Sequence, residues 1–340
     1  MKKVLLLHTN RQYATSLAEA VESLDVGYNV DVVSRVPLRD RIYHLLSGEY
    51  DLVQTDELLV NGLLACGSSI VSDTPFVASV RGWADYTNAH DQYGRLRSAS
   101  IQLRTRATLR RASATIFLSK RTLSEFRRQY RVKNPFVIGR PIDIEHYQSG
   151  DGDNQASYTD NEQFNLFTAT NLRYEDKFEG IIDTLEALRD PFRDYDDLQY
   201  TVAGNGRFLP ELKTFLQDYP HSNRVNILGF REDIPDLLAQ ADGFIYLSYL
   251  DAYPTVILEA QAAGLPVIGG DAVGIPETIG DAGLICEPTS DGIEAAVRRV
   301  LEDTSYRREL AEKSRKKMKT YNERCARRHV DVWNEVLGYS

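Results

Sequence analysis

Residues 248–267 carry two carboxylates around a predicted helix start. Asp251 precedes the helix, and Glu259 lies four residues after Thr255, so Thr255 and Glu259 share one helix face. The first amides of the helix, those of Thr255 and Val256, point outward and attract a diphosphate. Glu259 is then placed to accept hydrogen bonds from ribose hydroxyls. Taken alone, the two acids are equally consistent with a capping residue and a solvated helix position.

The elements around these acids form a unit of strand, loop, helix and strand. The apolar run 243–247 is typical of a buried parallel strand. Pro254 occupies the predicted first helical position, which tolerates a missing N–H. Gly264 predicts the helix end through a left-handed cap, and Pro266 cannot continue the helix.

Two cations occupy a second loop of this kind. Residues 168–177 place Arg173 and Lys177 between a predicted strand and a predicted helix. Fixed cations in such a loop neutralise a diphosphate leaving group. The alternative is that both cations pair with acids at the surface, namely Glu175, Asp176 and Glu179.

A third turn, at residues 202–206, contains Gly204, where a backbone can approach a ligand. Leu209 stands where a dinucleotide fingerprint needs its third glycine, so we do not expect nicotinamide dinucleotide binding. Close packing of the turn against a helix explains Gly204 more simply.

The first half of the chain offers Arg81 and Asp85, which follow the predicted strand 76–80 and could hold a donor or an acceptor. The alternative is a structural salt bridge beside a core Trp83. No Gly-x-Ser-x-Gly elbow or Walker loop occurs, which argues against hydrolase and P-loop functions.

Strands and helices alternate along both halves of the 340 residues, which predicts an α/β fold with parallel sheets. We expect an N-terminal domain over 1–148 and a C-terminal domain over 164–320, with their sheets facing each other across a ligand cleft. Residues 149–163 are polar and acidic and predict a linker or exposed loop. Residues 321–340 predict a helix that docks on the N-terminal domain through an apolar stripe. The stripe consists of Val330, Trp333 and Val336.

Composition limits the setting of the protein. No segment approaches the roughly 20 apolar residues that span a bilayer, and the N-terminus is typical of a strand and its loop instead of a signal peptide. Three cysteines lie far apart without metal-type spacing, which favours a reduced, cytoplasmic setting and no metal site. They are Cys66, Cys286 and Cys325.

Charge is distributed unevenly. The chain carries a net charge of −9, yet residues 95–133 contain twelve basic residues and one acid, Glu125. Such a segment predicts contact with an anionic membrane surface or an anionic acceptor, and the alternative is a solubilising helix face. We expect no nucleic-acid contact because aromatic residues are sparse among these cations.

Five motifs occur in the order found in one enzyme family. They are Asn171-Leu172-Arg173 with Lys177, residues 202–206, Leu228-Gly229-Phe230, the Asp251 to Glu259 block ending at Val267, and Gly274-Ile275-Pro276-Glu277. Together they resemble the retaining glycosyltransferases of family 4. The resemblance is close from about residue 165 to residue 288 and weaker in the first domain.

This resemblance implies a GT-B fold with two Rossmann-like doubly wound domains and a donor held mainly by the second. It implies transfer with retention of anomeric configuration and without an obligatory metal. In the family's motif the first acid, here Asp251, contacts the donor sugar, and the second, here Glu259, contacts the ribose. Arg173 and Lys177 match the cations that bind the diphosphate.

Three positions depart from the family pattern. Asp251 replaces a glutamate and is one methylene shorter, which changes the approach to the donor sugar. Arg81 stands where many members carry a catalytic-site histidine. Residues 8–12 replace a glycine-rich loop after the first strand.

We therefore predict a cytoplasmic, metal-independent glycosyltransferase that uses a nucleotide diphosphate-sugar as co-substrate. Its predicted partners are a glycan or lipid-linked acceptor and the inner face of a membrane. The alternatives are a nucleotide-sugar epimerase of the same fold and a non-catalytic nucleotide-sugar sensor. The predicted catalytic residues are Arg173, Lys177, Asp251, Arg81 and Asp85. The predicted donor-binding residues are Gly204, Tyr253, Pro254, Thr255, Val256 and Glu259.

Overall fold

The computed structural model describes residues 1–82, 94–148 and 163–339, which divide into two compact units. The first unit comprises Met1–Asp143 and Thr320–Ser340, and the second comprises Ile144–Lys319. Each contains one six-stranded sheet in which every described pairing is parallel. The predicted α/β fold with parallel sheets is confirmed.

The first sheet has the strand order β2-β1-β3-β4-β5-β6. Its strands are β1 (Lys2–His8), β2 (Tyr28–Ser34), β3 (Leu52–Thr55), β4 (Phe76–Val80), β5 (Ala114–Phe117) and β6 (Pro135–Val137). The helices between them are α1 (Arg11–Glu22), α2 (Leu38–Leu46), α3 (Val60–Val71), α4 (Arg95–Arg111) and α5 (Lys120–Gln129).

Strand β1 shows why these apolar runs become buried strands. Val4 and Leu6 belong to the core on one face of the sheet, and Leu5 and Leu7 belong to the core on the other. Successive side chains alternate between faces, so a strand covered on both sides needs a continuous apolar run instead of an alternating one.

The second sheet has the strand order β12-β11-β10-β7-β8-β9. Its strands are β7 (Phe164–Ala169), β8 (Leu198–Ala203), β9 (Val225–Gly229), β10 (Gly243–Tyr246), β11 (Val267–Gly270) and β12 (Leu284–Cys286). The helices of this unit are α6 (Ile144–Tyr147), α7 (Glu175–Ala187), α8 (Arg189–Asp194), α9 (Leu209–Gln217), α10 (Ile234–Ala239), α11 (Thr255–Ala262), α12 (Ile275–Ile279), α13 (Ser290–Glu302) and α14 (Thr304–Lys319).

Strand order reverses once in each sheet, between β1 and β3 in the first and between β7 and β10 in the second. In open α/β sheets, ligands bind outside the carboxyl ends of the strands at such a reversal. Each unit therefore has one favoured place for a ligand.

The charged run from Thr304 to Leu337 forms two helices, which meet at Thr320. The second of them, α15 (Tyr321–Leu337), belongs to the first unit. Its Val330 and Trp333 lie in the same core cluster as Val4 and Leu6 of β1. The chain therefore leaves the first unit after Asp143 and returns to it at Thr320.

Helix α11 differs by one residue from its sequence prediction. Thr255 is its first residue, so Pro254 lies at the N-cap and not inside the helix. The predicted left-handed end is confirmed, because Gly264 has a φ of +79°. The amides of Gly264 and Leu265 donate to the carbonyls of Gln261 at 3.0 Å and Ala260 at 3.1 Å, which closes the last turn.

No helix within the described ranges is long and apolar enough to cross a bilayer. Residues 149–162 of the predicted linker, together with Trp83 and Asp85, lie outside the described residues. None of the three cysteines forms a disulfide within the described residues.

Candidate functional site

Three polar side chains meet where the strand order of the second sheet reverses. Lys177 lies in the first turn of α7, Tyr246 ends β10, and Asp251 lies in the loop between β10 and α11. Lys177 Nζ is 2.9 Å from Asp251 Oδ2. The Tyr246 hydroxyl donates to the same oxygen at 2.6 Å and accepts from Lys177 Nζ at 3.4 Å. We call these three residues the donor-side cluster.

Burial explains why the side chains of the donor-side cluster pair with one another. Lys177 is only 7% exposed, and a buried ammonium requires a partner of opposite charge. Burial and the charge of Asp251 raise the pKa of Tyr246, so its hydroxyl stays protonated and donates to the carboxylate. For Lys177, the alternative of a surface ion pair with nearby acids is wrong, since its partner is Asp251 from another loop.

Arg173 has a different environment from Lys177. Its side chain is exposed, and no ion pair of its guanidinium is formed within the described parts of the chain. It lies four residues before Lys177, in the loop that follows β7. The loop thus presents one paired, buried cation and one solvated cation that an incoming anion can engage without displacing a carboxylate.

The start of α11 continues the loop that carries Asp251. Pro254 is buried at the N-cap, whereas Tyr253, Thr255, Val256 and Glu259 are partly exposed. The amides at the start of any helix lack intrahelical acceptors and point along the axis. The structure therefore joins these five residues to the donor-side cluster through a single short loop. Their binding of a nucleotide stays a prediction.

Gly204 is required by packing between two loops. A Cβ at Gly204 would lie 1.8 Å from the carbonyl oxygen of Thr170, and a Cβ at Gly206 would lie 2.2 Å from the carbonyl carbon of Leu172. The two loops also exchange hydrogen bonds, since the Leu172 amide donates to the Asn205 carbonyl at 3.0 Å. The glycines let the turn after β8 support the loop that carries Arg173. A ligand contact by Gly204 stays a prediction.

A second polar cluster lies where the strand order of the first sheet reverses. His8 ends β1, Asp56 follows β3, and Arg81 follows β4. Asp56 Oδ2 lies 3.3 Å from His8 Nδ1 and 3.8 Å from the Arg81 guanidinium. Arg81 thus pairs with Asp56, whereas its predicted neighbour Asp85 lies outside the described residues.

Asp56 is held as a carboxylate despite being 1% exposed. Burial alone would raise its pKa, but the charge of Arg81 and two hydrogen bonds from Thr9 contribute to holding that pKa below its usual value. The Thr9 amide donates at 2.9 Å, and the Asn61 side-chain amide donates to the other oxygen at 3.1 Å.

The sequence prediction missed three members of these clusters, Tyr246, His8 and Asp56. Each lies at or immediately after the carboxyl end of a central strand. That position is readable once the strands are assigned, and a polar residue there is a candidate for ligand contact. Their partners were not readable because they come from other strands.

Comparison with known proteins finds a family model that matches most of the second unit. Residues 153–317 match the family model described as glycosyl transferases group 1. The chain is 31% identical over 149 residues to N-acetyl-alpha-D-glucosaminyl L-malate synthase of Bacillus anthracis, covering 42% of this chain and 38% of that protein.

Two further similarities extend this result. The chain is 30% identical over 124 residues to the N,N'-diacetylbacillosaminyl-diphospho-undecaprenol alpha-1,3-N-acetylgalactosaminyltransferase of Campylobacter jejuni. This stretch covers 35% of this chain and 33% of that protein. The matched stretches thus span 38% and 33% of these two curated relatives. The structure of HepE from Anabaena in complex with UDP-glucose superposes with a TM-score of 0.72 at 19% identity, covering 98% of this chain and 100% of that one. The shared fold extends over nearly the whole chain.

Proposed function

We propose that this protein transfers a hexosyl group from a nucleotide diphosphate-sugar to an acceptor hydroxyl in glycan biosynthesis, and the match of residues 153–317 to the glycosyl transferases group 1 model supports this. The observation that carries the proposal is the donor-side cluster. A buried lysine, a carboxylate and the start of α11 lie on adjoining loops at the strand-order reversal of the second sheet.

The charges of this site suit a departing diphosphate. Arg173 offers a solvated guanidinium, and the amides of Thr255 and Val256 add the positive end of a helix. Lys177 has three N–H donors, of which Asp251 and Tyr246 accept two. The third is left for a phosphate oxygen. Each such donor stabilises negative charge that develops on the leaving group.

The two acids take different parts in this proposal. Glu259, partly exposed on α11, accepts hydrogen bonds from the ribose hydroxyls. Asp251, fixed by Lys177 and Tyr246, accepts hydrogen bonds from the donor sugar. Because its carboxylate is shared with two donors, Asp251 is oriented before the sugar arrives.

The reaction proceeds on one face of the sugar. The bond between the anomeric carbon and the β-phosphate oxygen breaks, and a bond to the acceptor oxygen forms on the same side. The acceptor proton passes to the departing phosphate oxygen, so charge and atoms balance and the anomeric configuration is retained. We propose that Arg173 and Lys177 supply the positive charge of this step and that no metal is required.

A donor screen tests the proposal. Nucleotide diphosphate-sugars are compared by thermal shift, because a true donor stabilises the folded state by mass action. The donor found is then incubated with acceptor candidates, and NMR of the product reads the anomeric configuration. Product formation only with an acceptor excludes an epimerase. Binding without transfer or hydrolysis on any acceptor would instead support a sensor.

Two controls make the screen specific. Glu259→Ala should weaken nucleotide affinity about tenfold through the lost hydrogen bonds, while Glu211→Ala, an exposed acid of α9, should leave it unchanged. Transfer that survives EDTA supports metal independence. Activity that disappears with EDTA and returns with a divalent cation would contradict it.

For the acceptor, we propose a lipid-linked glycan approached from the inner face of a membrane. The basic segment supports this, because α4 and the residues at and after the end of α5 line a cleft of about 800 Å³ that combines cationic and apolar groups. Its lining includes Arg106, Arg110, Arg131, Lys133, Leu103 and Tyr130. Leu96 and Leu103 are 91% and 69% exposed and lie seven residues apart, on one face of α4.

Vesicle co-sedimentation tests the membrane contact. Binding should increase with the fraction of anionic lipid and decrease with salt. Leu96→Ser with Leu103→Ser should weaken it, while Leu38→Ser, at another exposed leucine of the same unit, should not. Binding that ignores lipid charge and salt would overturn this part of the proposal.

A further inference from the structure

Among the described residues, the cluster in the first unit carries more positive charge than negative charge. Asp56 is its one described carboxylate, and two guanidinium groups interact with it, those of Arg81 and Arg140. Arg140 lies over the ring of Tyr13, with 5.1 Å from the guanidinium carbon to the ring centroid. His8 packs on the same ring at 4.6 Å. His8 and Arg140 therefore pack on one tyrosine. The net charge of His8, Asp56, Arg81 and Arg140 is positive when His8 is neutral.

The protonation of His8 follows from its neighbours. The backbone amide of Asn10 donates to His8 Nδ1 at 2.9 Å, so Nδ1 must be the acceptor and the proton of the neutral ring is on Nε2. Burial lowers the pKa of His8 against the opposing charge of Asp56, and the charges of Arg81 and Arg140 add to the lowering. His8 is therefore a neutral N–H donor at neutral pH and not a general base.

Two buried donors of this cluster have no acceptor. His8 is 5% exposed, and its Nε2 has no hydrogen-bond partner within the described ranges. Nor has Nε of Arg140, which is also inaccessible to solvent. Buried donors without acceptors are rare and costly, and both of these lie beside an excess of positive charge.

We propose that His8, Arg81 and Arg140 bind an oxyanion, a phosphoryl or carboxylate group carried by the acceptor. A guanidinium matches both groups in geometry, and an incoming oxyanion gives the unpaired N–H groups an acceptor while neutralising the excess charge. Helix α1 begins three residues after His8, so its first amides lie on the same loop. That the anion belongs to an acceptor rests on the proposed function, whereas the anion site itself does not.

Unfolding monitored by tryptophan fluorescence tests the site. The protein has two tryptophans, Trp83 and Trp333, and both belong to the first unit, so their emission reports on that unit. Inorganic phosphate and acetate are compared with chloride at equal ionic strength and neutral pH. We expect a rise of a few degrees in the midpoint. A rise with phosphate alone identifies a phosphoryl site, and a rise with acetate alone identifies a carboxylate site.

Four variants locate the effect. Arg140→Met and Arg81→Gln should at least halve the rise. Arg39→Gln, at a 93% exposed side chain of the same unit, should keep it. Lys177→Met, which removes the buried cation of the second unit, should also keep it. The midpoint of each variant in chloride is its own reference, so a variant that is less stable than the parent still reports the rise.

The site is disproved if neither anion raises the midpoint, or if the rise persists unchanged in Arg140→Met. A rise lost only in Lys177→Met would place the anion in the second unit and would overturn the inference equally. The proposed function fails separately, since it requires nucleotide-sugar binding. A protein that binds phosphate but no nucleotide would keep the anion site and lose the glycosyltransferase.

Discussion

The two sheets each reverse their strand order once, and the polar clusters at these two points balance their charges differently. In the second unit, Lys177 faces Asp251 at 2.9 Å, and Tyr246 completes a closed set of hydrogen bonds. In the first unit, Asp56 faces two guanidinium groups, and two buried N–H groups have no acceptor in the described structure. The same topology thus holds one site that is satisfied without a ligand and one that is not.

This difference indicates how each site responds to binding. A satisfied cluster is already oriented, so a ligand gains from preorganisation but must share donors that are in use. An unsatisfied cluster gains hydrogen bonds and charge neutralisation when the ligand binds. Without the ligand, its buried donors lack acceptors and lower the free energy of unfolding.

Removing the buried cation of the second unit should have the largest effect on transfer. Lys177→Met leaves Asp251 without its ion pair and the leaving group without a donor. We expect turnover to fall by about 10²–10³-fold. Lys213→Met, at an exposed lysine of α9, is the matched control. Near-normal turnover in a folded Lys177→Met protein would show that the satisfied cluster is only structural.

Acid should destabilise the first unit through its buried histidines. Burial lowers the pKa of His329 to about 3, whereas an unfolded histidine titrates near 6.5. The unfolded state then binds more protons below pH 6.5, so stability is complete above that value and is lost as pH falls toward 3. The expected loss from His329 alone is about 2 kcal/mol at pH 5.

Urea unfolding monitored by tryptophan fluorescence at neutral pH and at about pH 5 measures this loss. His329→Leu should reduce the pH dependence, because it removes the group that titrates. The variant should still fold, since Gln54 Oε1 accepts from Trp333 Nε1 at 2.8 Å. An unchanged pH dependence in His329→Leu would assign the acid sensitivity to other groups.

The smallest effect should come from the hydroxyl that closes the donor-side cluster. Tyr246→Phe leaves the ion pair between Lys177 and Asp251 in place but removes one hydrogen bond to the carboxylate. We expect kcat/KM to fall about tenfold, as for one hydrogen bond to a charged group. Tyr195→Phe makes the same change at a tyrosine that donates to Glu302 at the surface. Equal losses of kcat/KM in both variants would show that the Tyr246 hydroxyl has no particular role in transfer.

The donor side was more readable from the sequence than the first unit. Asp251 and Glu259 lie near Pro254 and Gly264, which indicate where helix α11 begins and ends, and Arg173 and Lys177 follow the apolar run of β7. The pairing of Lys177 with Asp251 was not predicted, because acids nearer in sequence offered a simpler partner. Burial of Lys177, which only tertiary packing determines, decides between them.

The first-unit cluster was not readable in the same way. His8, Asp56, Arg81 and Arg140 come from four separate segments, and no local spacing relates them. They meet because parallel strands bring their carboxyl ends to one edge of a sheet.

The return of the chain to the first unit at Thr320 affects how the protein is synthesised. Trp333 is fully buried beside strand β1 and donates to Gln54, 279 residues earlier in the chain. The N-terminal residues leave the ribosome first and the C-terminal helix leaves it last. The core of the first unit therefore stays uncovered until synthesis of α15 is complete. The second unit, continuous from Ile144 to Lys319, has no such wait. Nascent chains halted before residue 320 would therefore expose the apolar face of the first sheet, and that face is where we expect chaperones to engage during translation.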